Sequence, residues 1–285
     1  MLYSHAVKKY AFLFICIFSC PVLFSAQKVH FSVDDVSSSL RQLTEKEDSY
    51  CTPFEHPFFK YIKKLHDAYG VSVTLYCFYE LDGFSLDKCT EKFADDFRNE
   101  SGWLKFGYHA FSQSCNFIDG GGGYEMFVKQ TVRIAGSTES ISQTVRLDCF
   151  NGSFEECLAS SSYIGIDCGI KTLLCADSET RPSYFLTEKQ EQELNETEFI
   201  YTEEFDFIKT DFRFDDWKNY KNLFGQNKDE AELVLFTHEW ILNPPLRRNF
   251  ILYFFSVCRK WIIERNINDF FTRLSKTDCV YVSEF

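Results

Sequence analysis

Past residue 28 the chain alternates between short apolar runs of strand character and longer stretches with helical spacing. Val29, Phe31 and Val33 recur at period two in KVHFSVDD, which predicts a strand over Lys28 to Asp35. Pro57 then opens a helix with Phe58, Ile62, Leu65 and Tyr69 on one face, and Gly70 closes it. The β-rich run VSVTLYCFY predicts a strand over Val71 to Tyr79, and WLKFGYH another over Trp103 to His109. Leu86 to Phe97 reads as a helix or irregular helical turn, and Tyr124 to Ala135 as a helix that Gly136 stops. TVRLDCF over Thr144 to Phe150, KTLLCAD over Lys171 to Asp177, FDFIKTD over Phe205 to Asp211 and LVLFTH over Leu233 to His238 complete a set of seven strands. Ser153 with Glu156, and Thr187 with Gln190, have the spacing of capping boxes for short helices. Asp215 to Phe224 reads as helical, the acidic stretch Glu188 to Glu204 as a solvated helix face, and Asn249 to Asn266 as a long closing helix. Strands that alternate with helices predict a parallel α/β sheet or barrel, here one domain over 28–285.

The first 26 residues are of another kind. Lys8 and Lys9 precede an apolar run from Ala11 to Phe24. Roughly 20 apolar residues are needed to span a bilayer, so this run is short for a transmembrane helix. It fits the h-region of a signal peptide, with export to the cell envelope or beyond. Phe24 makes the exit at Ser25-Ala26 imperfect. An uncleaved anchor, lipidation of Cys20, or an ordinary buried segment are the alternatives. Nothing later in the chain is long and apolar enough for a membrane span.

Composition narrows the function classes. Lys and Arg number 30 against 42 Asp and Glu, a net charge of -12, and no basic patch answers it. Such a chain repels a phosphate backbone, which argues against a nucleic-acid partner. The 12 cysteines include no C-x-x-C pair, so a zinc ribbon is not predicted. Several of them, Cys77 and Cys175 among them, sit in apolar strands as small core residues.

The chemistry-bearing residues gather where the strands end. The first strand ends in Asp34-Asp35, the third in His109, the fifth in Asp177, the sixth in Asp211 with Arg213 beyond, and the seventh in His238, followed by Glu239 and Trp240; the fourth carries Arg146 and Asp148. Parallel strands bring such ends to one face, where barrel enzymes keep their sites. Acids, two histidines and an Arg on one rim suggest metal-assisted hydrolysis, with His109 offering an imidazole nitrogen to zinc or a similar divalent ion. Alternation along a strand points Asp34 and Asp35 to opposite sides, so separate roles are expected for them.

These segments resemble the polysaccharide deacetylase family, the NodB-homology or carbohydrate esterase family 4 fold. FSVDD at Phe31 to Asp35 resembles its first motif, HAFSQ at His109 to Gln113 its second, VRLDCFNG at Val145 to Gly152 its third, and LVLFTH at Leu233 to His238 its last. WLKFGYHA and LFTHEW suggest a divergent branch. The resemblance implies a distorted seven-stranded, TIM-like parallel barrel that removes acetyl groups from N- or O-acetylated sugars of a glycan. It implies Asp34 as general base, held by Arg146, and His238 as the acid that protonates the leaving group. Asp35 and His109 would bind a divalent metal ion. Gln113 stands where the family places a second metal-binding His, and Asp148 is the candidate to complete the set. Asp177, Asp211, Arg213 and Trp240 are the candidate sugar-binding positions. A carbohydrate-binding relative without turnover, or a hydrolase of another amide, are the competing readings.

Overall fold

A computed structural model describes residues 26–113, 115–117, 122–161, 168–176, 182–215, 232–246 and 249–285. The leader-like segment before residue 26, most of the helix expected over Asp215 to Phe224, and Asp177 lie outside the described residues. In chain order the strands are β1 (Gln27–Val36), β2 (Val73–Phe78), the hairpin β3 (Glu80–Leu81) and β4 (Phe84–Ser85), β5 (Leu104–Ala110), β6 (Thr144–Val145), β7 (Thr172–Leu174), β8 (Phe199–Tyr201), β9 (Asp206–Ile208), β10 (Phe212–Arg213), β11 (Glu232–His238) and β12 (Cys279–Tyr281). Helices separate most of the expected strands, among them Pro57–Tyr69 after β1, Ala94–Asn99 after β4, Gly122–Ala135 after β5, Phe154–Ser161 after β6 and Glu188–Thr197 after β7.

The architecture is α/β with a mainly parallel sheet. One sheet runs β10-β11-β1-β2-β5, with β12 also on β1, and every pairing in it is parallel. A second runs β6-β7-β9-β8, parallel except for the β8–β9 edge. The two approach at both sides: Phe106 of β5 bridges Ile141 just before β6, and the Asp211 N–H after β9 donates to the Val234 carbonyl of β11. The central strands are buried on both faces, as near-continuous apolar runs such as VTLYCF in β2 require. One contiguous core runs from Val29 to Leu274.

Most helices form where the spacing predicts them, while Leu86 to Phe97 holds a tight turn at Leu86–Lys88 and the helix Ala94–Asn99. Phe58, Phe59, Ile62 and Leu65 of Pro57–Tyr69 are buried, each apolar side chain contributing roughly 1.5–3 kcal/mol. Gly70 ends that helix with φ +74°, a left-handed turn that costs glycine nothing. Both capping boxes form, Ser153 with Glu156 and Thr187 with Gln190. The closing helix is longer than expected, Phe250–Leu274, and Asn249 caps it. Mid-strand Gly107 is explained by contact, since a Cβ there would lie 2.4 Å from the Tyr76 ring.

Three expectations are corrected. The acidic stretch after Glu188 is a helix only to Thr197 and then turns into β8. The fourth strand stops at Val145, so Arg146 and Asp148 stand beyond it rather than within it. Asp148–Phe150 forms a tight helical turn in which Cys149 and Phe150 take φ +56° and +53°. Ser38–Glu45, mostly polar with only Leu40 and Leu43 on its buried face, is a helix the pattern does not announce.

Candidate functional site

The C-terminal end of β1 departs from a regular strand. Val33 pairs with Leu75 of β2, and the next pairing is Val36 with Cys77, so Asp34 and Asp35 together oppose the single residue Tyr76. That is a β-bulge, and Asp35 takes the left-handed conformation that it demands, φ +62°. Aspartate tolerates this region better than most residues, at a cost of roughly 1–2 kcal/mol. The bulge cancels the expected alternation: Asp34 and Asp35 line the same pocket, of about 140 Å³, instead of facing opposite sides.

His109, Arg146, Asp148, Arg213 and His238 line that pocket too. Its neighbour is a wider cleft of about 600 Å³, which shares Asp35 and Asp148 and adds Gln113, Glu239 and Trp240. Five strand ends thus contribute to one site. Among the sequence-predicted positions, Asp211 is not brought in: its carboxylate accepts from the Val234 N–H and stitches the chain to β11. Asp177 lies outside the described residues.

Asp34 is buried, 1% exposed. Burial raises its pKa, and the charges of Arg146, His109 and His238 only partly offset that. Arg146 Nε lies 3.3 Å from Asp34 Oδ2, an ion pair without hydrogen-bond geometry, while Ser32 Oγ donates to Asp34 Oδ1. The guanidinium is fixed from other sides. It donates to Thr210 Oγ1 at 2.8 Å and packs 4.1 Å over the Phe236 ring, and its buried Nη2 has no hydrogen-bond partner among the described residues. A carboxylate held away from water with a raised pKa is suited to accept a proton.

His109 is constrained at both ring nitrogens. Nδ1 donates to the Arg146 carbonyl at 2.6 Å, and Nε2 faces Asp35 Oδ1 at 3.2 Å and Asp148 Oδ1 at 4.0 Å. A neutral imidazole carries one N–H, already used at Nδ1, so Nε2 would turn a lone pair toward a carboxylate. The contact therefore requires one more positive charge, on the ring or between the two groups. Burial lowers the His109 pKa, but the hydrogen bond to Asp35 and the charges of Asp34 and Asp35 outweigh it and leave it raised. Burial likewise pushes Asp35 up, and its His109 contact, the charges of both histidines and the Trp240 N–H bring it below the ordinary value.

His238 forms a second pair that sequence reading missed. Its Nδ1–H donates to Asp215, which also accepts from Thr237 Oγ1 and from Arg213 Nε, both at 2.8 Å. Burial would raise the Asp215 pKa, but His238 and Arg213 together depress it to about 2. With Nδ1 committed, Nε2 points into the pocket, 3.8 Å from Asp35 Oδ2. The available signal was the second turn residue after FR in DFRFDDW, masked by its reading as the first residue of a helix.

Trp240 Nε1 donates to Asp35 Oδ2 at 3.1 Å, and its ring stands 5.4 Å from that of His238 at the cleft mouth. Glu239 between them lies at the cleft wall, and its carboxylate accepts the N–H groups of Ser37, Ser38 and Ser39 at the start of helix Ser38–Glu45. It satisfies three otherwise orphaned donors and ties the end of β1 to the end of β11.

The donor set can be weighed for a metal ion. Asp34, Asp35, Asp148 and Asp215 oppose Arg146 and Arg213, four carboxylates against two guanidinium groups, a balance that suits a divalent cation. His109 with its Nδ1 committed to a carbonyl presents Nε2 as a ligand nitrogen in the manner of metal-binding histidines. Yet among the described residues no group of three or more His, Cys, Asp or Glu side chains is gathered closely enough to hold an ion. Asp35 and His109 are in contact, Asp148 stands further off, and Gln113 belongs to the outer cleft.

No protein-family model and no curated protein sequence matches this chain.

Proposed function

We propose that this protein is a metal-dependent hydrolase that removes acetyl groups from N- or O-acetylated sugars of a glycan. One observation carries the reading: a buried acid with a raised pKa and a carboxylate-oriented histidine share a pocket with the cation-deficient Asp35–His109 contact. In this reading the two sheets are halves of one distorted seven-stranded barrel, supported by the Phe106–Ile141 bridge and the Asp211–Val234 hydrogen bond.

Asp34 accepts the proton of the attacking water, and Arg146 holds its carboxylate in place. His238 Nε2–H delivers a proton to the leaving nitrogen or oxygen, with Asp215 fixing the ring and stabilising its charged form. Asp35 and His109 would supply two ligands to a divalent ion, and Asp148, 4.0 Å from His109 Nε2, would have to move closer to complete the set; such an ion would polarise the acetyl carbonyl and make water more acidic. Trp240 at the cleft mouth offers a sugar ring a flat apolar face, and Arg213 and Gln113 offer hydrogen bonds. The acidic wall formed by Asp35, Asp82 and Asp148 favours neutral or basic sugars over anionic ones.

The separation of Asp148 from His109 and the presence of Gln113 favour a second reading, a carbohydrate-binding relative without turnover. Acetate release from N-acetylated and O-acetylated oligosaccharides, measured with chelator and with added zinc, manganese or cobalt, separates the two. Turnover that needs the ion and falls by roughly 10²–10⁴ in Asp34→Asn and His238→Ala is the expected result. Full activity after exhaustive chelation overturns the metal dependence. Sugar binding without acetate release under every ion establishes the second reading.

A further inference from the structure

The closing helix does not end where the core ends. From Ile263 onward it is anchored by Ile263, Ile267, Phe270, Phe271 and Leu274, but no residue from Phe250 to Ile262 is buried. That leaves 13 residues, about 20 Å of helix at 1.5 Å per residue, that none of the described residues buries. They are not the polar residues such a position calls for. Phe250 is 77% exposed, Ile251 63%, Phe254 55%, Phe255 63% and Trp261 62%, and Leu246 ahead of the helix is 88% exposed. At 100° per residue Phe250, Ile251, Phe254, Phe255 and Trp261 fall within an arc of about 140°, so they form one exposed apolar face. An exposed apolar face of this extent marks an interaction site.

The charge around it is reversed from the rest of the chain. The protein carries -12 overall, yet Asn243 to Ile263 holds four basic residues, Arg247, Arg248, Arg259 and Lys260, and no acidic one, Glu264 following as the ion-pair partner of Lys260 at 3.6 Å. The apolar residues are thus bracketed by cations, with Trp261 beside the second pair. An uninterrupted apolar run from Phe250 to Phe255 covers about 9 Å, against the roughly 30 Å of a bilayer's hydrocarbon core. Among the described residues no helix is long and apolar enough to cross a membrane. Depth, aromatic content and flanking cations match instead a helix that lies in the interface, its apolar side chains about 5–10 Å into the headgroup and acyl boundary.

We propose that the helix segment Phe250 to Trp261 is a docking surface for a membrane with anionic headgroups. Arg259 fixes how the site would be presented. Its guanidinium lies 5.2 Å over the Trp240 ring and donates to the Asp215 carbonyl at 3.3 Å, so the exposed segment leaves the body beside the cleft mouth. Docking would hold that mouth at the headgroup layer. The binding inference does not depend on the hydrolase reading.

The full chain is mixed with phosphatidylcholine vesicles with and without phosphatidylglycerol, and bound protein is separated by flotation. Binding is expected on the anionic vesicles, weakened at high salt, and weaker by about tenfold or more in Phe254→Asp/Phe255→Asp. Both side chains are exposed, so the variant should keep the wild-type urea midpoint, and any leader contribution is common to both proteins. A single-site variant, Trp261→Ser, gives the same comparison should the double variant misfold. Equal binding of wild type and both variants overturns the proposal, as does failure to bind anionic vesicles. A dimer in light scattering that Phe254→Asp disperses, without vesicle binding, replaces the membrane with a second copy of the chain.

Discussion

Replacing Asp215 by Asn tests the His238 pair without any assumption about substrate. Asn is close in shape to a protonated Asp, so the substitution should cost about what protonation costs. The folded-state pKa of about 2 against an ordinary 3.8 corresponds to about 2 kcal/mol at 1.36 kcal/mol per pKa unit. Asp215 is 5% exposed, and its partners donate from three directions, so solvent screening takes little of this away. The sign follows from the depression. The folded state holds its proton less tightly than the unfolded chain, so the stabilisation is complete above pH 3.8 and is lost as pH falls through 2. The gap between wild type and Asp215→Asn in urea unfolding should therefore be about 2 kcal/mol at pH 7 and at pH 5. It should shrink to about half near pH 3. A gap below about 0.5 kcal/mol at pH 7, or one that stays constant down to pH 3, would refute the pairing. In acetate release the same variant should lose kcat by roughly 10–100-fold with KM little changed, because the ring loses its orienting partner and not a sugar contact.

Other substitutions probe the frame of the site. Asp35→Gly should be more stable than Asp35→Ala by about 1 kcal/mol, the reverse of the usual order, because both lack the carboxylate and only Ala meets the left-handed φ. Equal unfolding midpoints would mean that the bulge relaxes without strain. His30 is fully buried, and burial followed by the Arg146 charge lowers its pKa to about 3. The unfolded chain then takes up the proton first, so stability is unaffected above pH 6.5 and lost as pH falls from there toward 3. His30→Gln should flatten that slope by about 1.4 kcal/mol per pH unit, and an unchanged slope would remove His30 as its cause. Glu239→Gln should destabilise by roughly 1–3 kcal/mol and speed amide exchange at Ser37, Ser38 and Ser39; unchanged exchange there would show that its carboxylate does not hold them.

Much of the frame was legible because burial writes itself into period. All seven expected strands form, the fourth cut to Thr144–Val145, and central ones such as β2 and β11 are apolar runs that a parallel sheet buries on both faces. Helix Pro57–Tyr69 was legible at both ends, from Pro57 and Gly70. Helix Ser38–Glu45 was not, because only two apolar residues, Leu40 and Leu43, mark its buried face and its first turn is satisfied by a distant carboxylate, that of Glu239. Asp211 looked like a site residue because it ends an apolar strand. Its position relative to Val234 decided otherwise, and that contact spans a long stretch of chain.

The residues that were misread share a cause. Periodicity describes regular structure, and the site is built where regular structure breaks. A strict strand through Val33 would have turned one of the two aspartates away from the pocket; the left-handed Asp35 and the two-against-one pairing with Tyr76 keep both in it. A strand continued from Val145 to Phe150 would have run Asp148 along the sheet; the turn at Cys149 and Phe150 bends it back toward His109 Nε2. Asp215 follows β10, and the fold rather than the spacing lays it against His238, the last residue of β11. Left-handed residues of this kind cost free energy that the surrounding core must offset. Their concentration at the mouth of one pocket, below which β1, β2 and β11 are fully paired and buried, is the pattern of a rigid frame spending stability on the geometry of a reactive site.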